Sequence, residues 1–313
     1  MRLLFLGSPA EVISPLRTLI EAAREGRYEL LGVVSQPARP AGRKQILTDP
    51  PLAAFAKEQG LSVWQPEKAS HPEFLEELKK LAPDVIITAA YGQILSDAFL
   101  KIPRRATINI HPSLLPSFRG ATPIPAALLA GLDETGVTIL FTVKALDAGA
   151  LIVQERFSIG PNETSGQLTD RLFAASGPLL LQGLEYLNDP DFVGTPQNPD
   201  AVTHCQKISK TDGQIDWNKP HRQLYNEYRA YAPWPGSFTH FHEQRVVIEE
   251  MELVSGSGLK VGSFRFDKER RGLRVGTSDG ELLIKRLKPA GSKSIDALSF
   301  WNGARLPGEG QFT

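Results

Sequence analysis

Residues 84–90 read DVIITAA, a short apolar run typical of a strand that is covered on both faces. Similar runs recur along the first two-thirds of the chain, separated by segments with helical spacing of their apolar residues. These runs are RLLFL (2–6), LLGVVS (30–35) and ATINI (106–110). The alternation predicts an α/β fold with a doubly wound, mostly parallel, Rossmann-like sheet, which binds ligands at the carboxyl ends of its strands.

The intervening segments are predicted helices, because their apolar residues recur three and four positions apart. The clearest are Pro9 to Arg24, Pro51 to Gln59, Pro72 to Leu81 and Leu168 to Leu187. Two further predicted strands, GVTILFTV (136–143) and ALIVQERF (150–157), are joined by six residues. That connection is too short for a parallel crossover, so we expect an antiparallel hairpin at the edge of the sheet.

The pattern changes after residue 188. Residues 189–206 are rich in Pro, Asn and Asp, and we interpret them as a linker between a catalytic domain at 1–188 and a second domain at 207–313. The second domain has short alternating strands with glycine-containing turns, a pattern typical of a small, OB-like antiparallel β-barrel. The predicted strands are VVIEEMEL (246–253), GSFRF (262–266), LRVGT (273–277) and ELLIKRL (281–287).

The bulk composition excludes several classes of protein. The single cysteine, Cys205, excludes an intramolecular disulfide and any metal site built from several cysteines. No apolar run approaches the roughly 20 residues of a membrane helix. The first residues, MRLLFLG, lack the features of a signal peptide. We therefore expect a cytoplasmic protein with no membrane partner.

The charged residues are unevenly distributed, although the formal net charge is zero. Residues 1–204 carry 18 basic and 22 acidic side chains, whereas residues 205–313 carry 17 basic and 13 acidic ones. A basic C-terminal segment is compatible with a polyanionic partner. Charge alone, however, favours chance segregation as the explanation.

Two polar residues stand out at the end of the strand at 106–110. Asn109 and His111 are two positions apart, so their side chains lie on one face of the strand, while Ile108 and Ile110 lie on the other. The proline after His111 favours an extended backbone there and marks the end of the strand. Asn109 and His111 are therefore predicted at the carboxyl edge of the sheet, where an active site is expected.

Asp147 lies in the short loop after the strand at 136–143. Taken alone it is more typical of a turn residue, because Asp and Gly are common turn formers. Together with Asn109 and His111 it completes a set of an amide donor, a titratable imidazole and a carboxylate. Acyl transfer to an amine needs these groups.

The segment NIHPSLLPSFRGATPIPAALLAG (109–131), followed by TGVTILFTVKALDAG (135–149), resembles the folate-dependent formyltransferase family. The resemblance implies that Asn109, His111 and Asp147 form the catalytic trio. It also implies 10-formyltetrahydrofolate as the cosubstrate. Nothing in the sequence demands a metal, so we expect none. The implied folate-binding residues come from the SLLP motif and the loop AAYGQIL (89–95): Ser113, Leu114, Leu115, Pro116, Tyr91, Gly92, Gln93, Ile94 and Leu95.

Other segments are similar to the members of that family that act on methionyl initiator tRNA. Residues 36–50, a predicted loop rich in Pro, Gly and basic residues, contain QPARPAGRK, which resembles their basic loop. Residues 207–220, 229–239 and 287–309 resemble their C-terminal domain. The resemblance implies an enzyme that formylates the α-amine of methionyl initiator tRNA for translation initiation, and we expect it to be a monomer. The implied tRNA-binding residues are Arg39, Arg43, Lys44, Lys207 and Lys210.

The chain departs from the family's pattern in two places. The family usually has Thr and Asp around the glycine of its LDTGD segment, where this chain has Ala148 and Ala150. Its basic loop often carries a further lysine, where this chain has Gln45. The first departure concerns the hydrogen bonds of the loop, and the second weakens the expected contact with tRNA.

Three other functions are open. A formyltransferase for glycinamide ribonucleotide or an amino-sugar nucleotide would share the trio but would not need the basic loop or the second domain. A dinucleotide-dependent oxidoreductase needs a glycine-rich first turn, and here GSPAEV (7–12) has a single glycine. A non-catalytic RNA-binding protein would leave the trio without a role.

Overall fold

The structure, a computed structural model, describes residues 1–42, 44–256, 258–305 and 308–313. Arg43, one of the expected tRNA-binding residues, lies outside the described residues. The chain divides into two units. The first comprises Met1–Pro123, Glu134–Ser158 and Thr169–Cys205, and the second Ile124–Asp133, Ile159–Leu168 and Gln206–Thr313. No helix in the described part of the chain is long and apolar enough to cross a membrane.

The first unit is built on a seven-stranded sheet. Its strands, in chain order and with two that lie outside the sheet, are β1 (Arg2–Leu6), β2 (Glu29–Val34), β3 (Arg39–Ala41), β4 (Ile46–Thr48), β5 (Val63–Trp64), β6 (Val85–Thr88), β7 (Ala106–His111), β8 (Glu134–Phe141) and β9 (Leu151–Ser158). The sheet order is β5-β2-β1-β6-β7-β8-β9. The first five strands in that order are parallel, and β8 and β9 are antiparallel to their neighbours. The predicted doubly wound sheet with an antiparallel hairpin at one edge is therefore confirmed.

Helices alternate with these strands. In chain order they are α1 (Ile13–Arg24), α2 (Pro51–Glu58), α3 (Pro72–Leu81), α4 (Asp97–Leu100), α5 (Pro123–Leu129) and α6 (Ser165–Tyr186). The four helices predicted from apolar spacing correspond to α1, α2, α3 and α6. A 3₁₀ turn at Ala10–Val12 precedes α1. Most of α5 and the first residues of α6 group with the second unit.

The register of β6 and β7 fixes the face on which the polar pair of β7 lies. Thr88 pairs with Asn109, and Ile86, two residues earlier, packs in a buried apolar cluster with residues of α3 and α4. Because side chains alternate along a strand, Asn109 and His111 share that face and lie beyond its apolar cluster at the carboxyl end of the strand. The isoleucines that alternate with them are buried on the opposite face.

Residues 36–50 contain a short antiparallel ribbon, in which β3 pairs with β4 and Arg39 lies opposite Thr48. The prediction of a loop was wrong at Arg39–Ala41 and Ile46–Thr48, which form strands. Every residue of both strands is exposed, so the segment has no alternation of buried and exposed side chains from which a strand could be predicted.

The second unit contains an antiparallel sheet in the order β10-β11-β14-β13-β12-β16, with β15 beside β14. Its elements are β10 (Ser237–Phe241), β11 (Gln244–Val254), β12 (Ser263–Asp267), β13 (Gly272–Gly276), β14 (Glu281–Pro289), β15 (Ile295–Asp296), β16 (Gly310–Gln311), α7 (His221–Tyr231) and α8 (Ala297–Ala304). Just after β16, Thr313 exchanges two backbone hydrogen bonds with His240 of β10, at 3.0 and 2.9 Å. The two edges of the sheet therefore meet, and the predicted small barrel is confirmed.

The second unit also recruits segments from within residues 1–188. The hydroxyl of Tyr225 donates to Asn162 Oδ1 at 2.8 Å, and Arg229 Nη1 donates to the carbonyl of Gly160 at 3.3 Å. These bonds hold the segment Ile159–Leu168 against α7, a grouping that chain order does not reveal. The assignment of a catalytic domain to residues 1–188 and of a second domain to 207–313 stays a prediction.

Candidate active site

The structure brings Asn109, His111 and Asp147 together beside the carboxyl end of β7. Asn109 and His111 belong to β7, and Asp147 lies in the loop between β8 and β9. Asn109 Nδ2 is 3.5 Å from Asp147 Oδ1, and His111 Nδ1 is 3.7 Å from Asp147 Oδ2. One carboxylate therefore faces both the amide and the imidazole.

The amide of Asn109 has a defined orientation. Thr88 Oγ1, at the end of β6, donates to Asn109 Oδ1 at 2.8 Å. The carboxylate of Asp147 only accepts hydrogen bonds, so the amide nitrogen must be the group that faces it. The nitrogen carries two hydrogens, and one of them is available to a ligand. Sequence reasoning missed Thr88, whose only signal is a hydroxyl at the end of an apolar strand.

The imidazole of His111 is buried, with 4 % of the residue exposed. Its Nε2 lies 3.0 Å from the carbonyl oxygen of Phe118. A carbonyl only accepts, so Nε2 carries a hydrogen, and Nδ1, which faces Asp147, is the nitrogen that gains or loses a proton. Burial lowers the pKa of His111 from its ordinary value, while the Asp147 carboxylate and the Phe118 carbonyl oppose this shift.

Asp147 adopts a left-handed backbone conformation, with φ 49°. Aspartate is among the residues that tolerate this region, at some energetic cost. Its Oδ2 accepts the backbone N–H of Gly120 at 2.9 Å. The carboxylate is thus fixed by a residue from the loop that follows the SLLP motif.

Residues 142–150, between β8 and β9, form the loop that contains Asp147, called here the Asp147 loop. At position 149 this loop has space only for a glycine. A Cβ added there would lie 1.8 Å from the carbonyl oxygen of Phe141. The flanking residues, Ala148 and Ala150, are the two departures from the family's pattern. Both alanines make backbone hydrogen bonds that hold the loop. The N–H of Ala148 donates to the carbonyl of Ala145 at 3.3 Å, and the carbonyl of Ala150 accepts from the N–H of Phe141 at 3.0 Å.

The SLLP motif forms a turn that is held from the neighbouring strands. Thr138 Oγ1 of β8 donates to the carbonyl of Ser113 at 2.6 Å. Gln154 Nε2 of β9 donates to Thr138 Oγ1 at 2.7 Å and to the carbonyl of Leu115 at 3.0 Å. Sequence reasoning missed Thr138 and Gln154, which pair directly across the hairpin. Their signal is a polar residue inside each apolar strand.

Side chains of the motif differ in what they leave for a ligand. Ser113 is buried, and its hydroxyl donates to the carbonyl of Ser117 at 2.7 Å. Leu115 is also buried. Leu114 and Pro116 are partly exposed, so they are the members of the motif with side-chain surface free for contact.

Tyr91 places its side chain in the core. It is 4 % exposed and packs in the apolar cluster with residues of α3 and α4. Burial raises the pKa of its hydroxyl to about 12, and that hydroxyl has no hydrogen-bond partner among the described residues. The backbone carbonyl oxygen of Tyr91 accepts a hydrogen bond from Gln36 Nε2 at 3.0 Å.

The rest of the 89–95 loop is tied down at Gln93. Its Oε1 accepts the N–H of Ala69 at 2.7 Å, and its Nε2 donates to the carbonyl of Pro66 at 3.3 Å. Gly92 next to it has φ 82°, which favours glycine. Ile94 is 93 % exposed, whereas Leu95 packs partly against the apolar cluster.

The described tRNA-binding candidates are all exposed. Arg39, in β3, lies 3.7 Å from Glu67 in an exposed ion pair, and Lys44 follows in the turn of the ribbon. Lys207 and Lys210 belong to the second unit. Within the described ranges, no group of three or more His, Cys, Asp or Glu side chains could hold a metal ion.

Comparison with known proteins gives matches along the whole chain. The sequence model of the formyl transferase family matches residues 1–184, and that of the formyl transferase C-terminal domain matches residues 207–305. A methionyl-tRNA formyltransferase of Listeria innocua is 39 % identical over 311 residues, covering 97 % of this chain and 96 % of the relative. One of Staphylococcus aureus is 36 % identical over 305 residues, with the same coverage.

A solved structure shares the fold. HypX from Aquifex aeolicus, solved in complex with tetrahydrofolic acid, superposes with a TM-score of 0.65 at 18 % identity. The match covers 96 % of this chain and 47 % of that longer chain.

Proposed function

The chain belongs to the formyl transferase family, and on that premise we propose that it transfers the formyl group of 10-formyltetrahydrofolate to the α-amine of methionyl initiator tRNA, for translation initiation. The observation that carries this proposal is the extent of the similarity. Identity of 36–39 % to methionyl-tRNA formyltransferases covers 97 % of the chain, so it includes the residues of the barrel as well as those of the first unit.

Asn109 is proposed to stabilise the negative charge that develops on the formyl oxygen. Its amide nitrogen is oriented by Thr88 and by the carboxylate of Asp147, and it has a hydrogen to donate. A fixed donor of this kind contributes about 10²–10³ in rate. Asn109 therefore acts without reorganising when the charge forms.

His111 and Asp147 are proposed to accept the proton that the attacking amine loses and to pass it to N10 of tetrahydrofolate as the bond between N10 and the formyl carbon breaks. An unperturbed α-amino group titrates at about 7.7–8.0, so a neutral fraction is present at physiological pH. Burial keeps the imidazole neutral and ready to accept a proton. The carboxylate, 3.7 Å from Nδ1, favours the charged ring once the proton has arrived.

A folate, which supplies the formyl group when bound, is proposed to bind beside the Asp147 loop, and two exposed apolar side chains support this proposal. Lys144 Nζ, in the Asp147 loop, lies 3.7 Å from Oδ2 of Asp97, the first residue of α4. Leu146 of the Asp147 loop and Ile94 of the loop before α4 are exposed, at 66 % and 93 %. Apolar side chains beside a few fixed polar groups are the usual lining of a small-molecule site. The folate-binding role of residues 91–95 and 113–116 remains part of this proposal.

The tRNA is proposed to contact Arg39 and Lys44 on the ribbon and Lys207 and Lys210 on the second unit, together with Arg43, which lies outside the described residues. Exposed arginine and lysine side chains suit phosphate contacts. We also propose that the enzyme is a cytoplasmic monomer and needs no metal. Size-exclusion chromatography with light scattering tests the oligomeric state. Formyl-transfer assays after dialysis against a chelator test the independence of metal.

Transfer of labelled formyl from 10-formyltetrahydrofolate tests the proposed function. Purified methionyl initiator tRNA, glycinamide ribonucleotide and an amino-sugar nucleotide are offered separately at equal concentration. We expect label on the tRNA, with little on either small amine. Label on a small amine alone would keep the folate chemistry and overturn the proposed acceptor.

A further inference from the structure

The segment 195–205, interpreted from its composition as part of a linker, is bonded along the first unit. Thr195 exchanges two backbone hydrogen bonds with Leu151, both at 2.8 Å. Farther along, the N–H of Arg119 donates to the carbonyl of Thr203 at 2.9 Å. The segment is therefore fixed on both sides of Gln197.

The side chain of Gln197 reaches the Asp147 loop. Its Nε2 donates to the carbonyl of Asp147 and to the carbonyl of Gly149, each at 2.8 Å. An amide nitrogen carries two hydrogens, so each carbonyl takes one. Gln197 thus clamps the backbone on both sides of Ala148.

Arg119 fixes the orientation of the Gln197 amide. Its Nε and Nη2 both donate to Gln197 Oε1, at 3.1 and 2.7 Å. A guanidinium has donors only, so the amide oxygen must face Arg119 and the amide nitrogen must face the loop. Hydrogen bonds from an ionised donor are stronger than those from a neutral donor, and these two hold the Gln197 amide in a single orientation.

A closed ring of bonds results. Gly120, the residue after Arg119, donates its N–H to Asp147 Oδ2 at 2.9 Å. Asp147 is therefore held at its carboxylate by Gly120 and at its carbonyl by Gln197, and Arg119 joins the two. This ring restrains a residue with φ 49°, a conformation that persists only when its surroundings over-determine it.

We propose that Gln197 is a positioning residue for the reaction, which acts by keeping the Asp147 carboxylate at its distance from His111. This inference rests on the proposed function. A displacement of about 1 Å in a catalytic group costs on the order of a hundredfold in rate. Gln197→Met, which keeps the length of the side chain but removes both donors, is therefore expected to lower kcat about tenfold to a hundredfold, with smaller changes in KM.

The alternative is that Gln197 only ties the segment to the surface of the first unit. A structural role would lower the melting temperature but would not depend on the presence of the Asp147 carboxylate. A double-mutant cycle separates the two, because residues that act through one another give non-additive effects.

The test measures kcat for formyl transfer by the wild type, Gln197→Met, Asp147→Asn and the double variant. Gln182→Met is the control, because Gln182 is exposed on α6 and bonds Tyr186. Melting curves accompany each variant. If Gln197→Met does not fold, Arg119→Met, which frees the amide without removing it, takes its place in the same cycle.

We expect the loss caused by Gln197→Met to shrink to less than about threefold in the Asp147→Asn background. An equal loss in both backgrounds would overturn the positioning role, as would a Gln197→Met enzyme with wild-type kcat. Failure of the wild type itself to transfer formyl would instead overturn the proposed function, so the two failures are distinguishable.

Discussion

The carboxylate of Asp147 is where the residues of the site meet. It faces Asn109 Nδ2 and His111 Nδ1 and accepts the N–H of Gly120. Sequence reasoning could find the asparagine and histidine from their alternation on one strand. Asp147 could be identified only together with Asn109 and His111, because an aspartate before Ala-Gly is otherwise typical of a turn.

The pH dependence of kcat is the prediction that belongs to His111. Burial lowers its pKa below the ordinary 6.5, and its proposed role requires the neutral form. The rate is therefore expected to fall as the pH is lowered, with the midpoint of that limb below 6.5. Asp147→Asn removes a group that raises the pKa, so it should move the limb to still lower pH.

Steady-state kcat at saturating substrates, measured from pH 8 down to about 5, checks this shift, because kcat reports groups in the complex rather than the free amine. The control Asp170→Asn changes an exposed carboxylate on α6. A limb at or above 6.5, or no movement in Asp147→Asn alone, would contradict the assignment of the base.

At the scale of elements, apolar periodicity was enough to predict the sheet, the edge hairpin and four of the helices. It could not predict the ribbon β3–β4, whose six residues are all exposed. It also could not assign Gln197, because residues 189–206 have the composition of a linker and their bonds depend on folding back along the first unit. A long-range hydrogen bond made by a single side chain produces no periodic pattern in the sequence.

The loop between β8 and β9 supplies a prediction about Gly149. Gly149→Ala would place a Cβ 1.8 Å from a backbone carbonyl oxygen, and backbone cannot move aside cheaply. We expect a loss of about 1–3 kcal/mol or more in the free energy of unfolding, together with a lower kcat because the Asp147 loop must shift. Chemical denaturation and the formyl-transfer assay measure the two effects.

Gly183→Ala is the matched control for that substitution. Gly183 lies within α6, and its added Cβ would meet Ile139, Ile152 and Val153 at ordinary contact distances of 3.4–3.5 Å. A glycine replaced by alanine inside a helix is expected to be neutral or stabilising by about 0.4–1 kcal/mol. Equal destabilisation by both substitutions would show that crowding at Phe141 is not the cause.

For the whole molecule, the basic balance of residues 205–313 is compatible with a polyanionic acceptor, but charge alone favours chance segregation and does not identify that acceptor. The comparisons with known proteins supply what composition could not. They extend over both halves of the chain, so the barrel is part of the family's architecture and is not an unrelated addition.

Binding of methionyl initiator tRNA should weaken steeply with salt, because each phosphate contact contributes about 0.7–0.9 to the log–log slope. The double substitution Arg39→Ala with Lys44→Ala should reduce that slope by about 1.4–1.8. Lys80→Ala with Lys101→Ala, which removes two exposed lysines elsewhere in the first unit, should leave it unchanged. Filter binding across a salt series measures all three, and a flat response would argue against tRNA as the acceptor.

The proposed function and the role of His111 are tested most directly by a single-turnover measurement of labelled formyl transfer to methionyl initiator tRNA by the wild type and by His111→Gln. Glutamine can still donate to the Phe118 carbonyl but cannot take up a proton. His71→Ala, which removes an exposed histidine, is the control. We expect tRNA labelling by the wild type and the control, and a rate at least about a hundredfold lower in His111→Gln with folate binding retained. Near-normal transfer by His111→Gln would contradict the proposed role of His111.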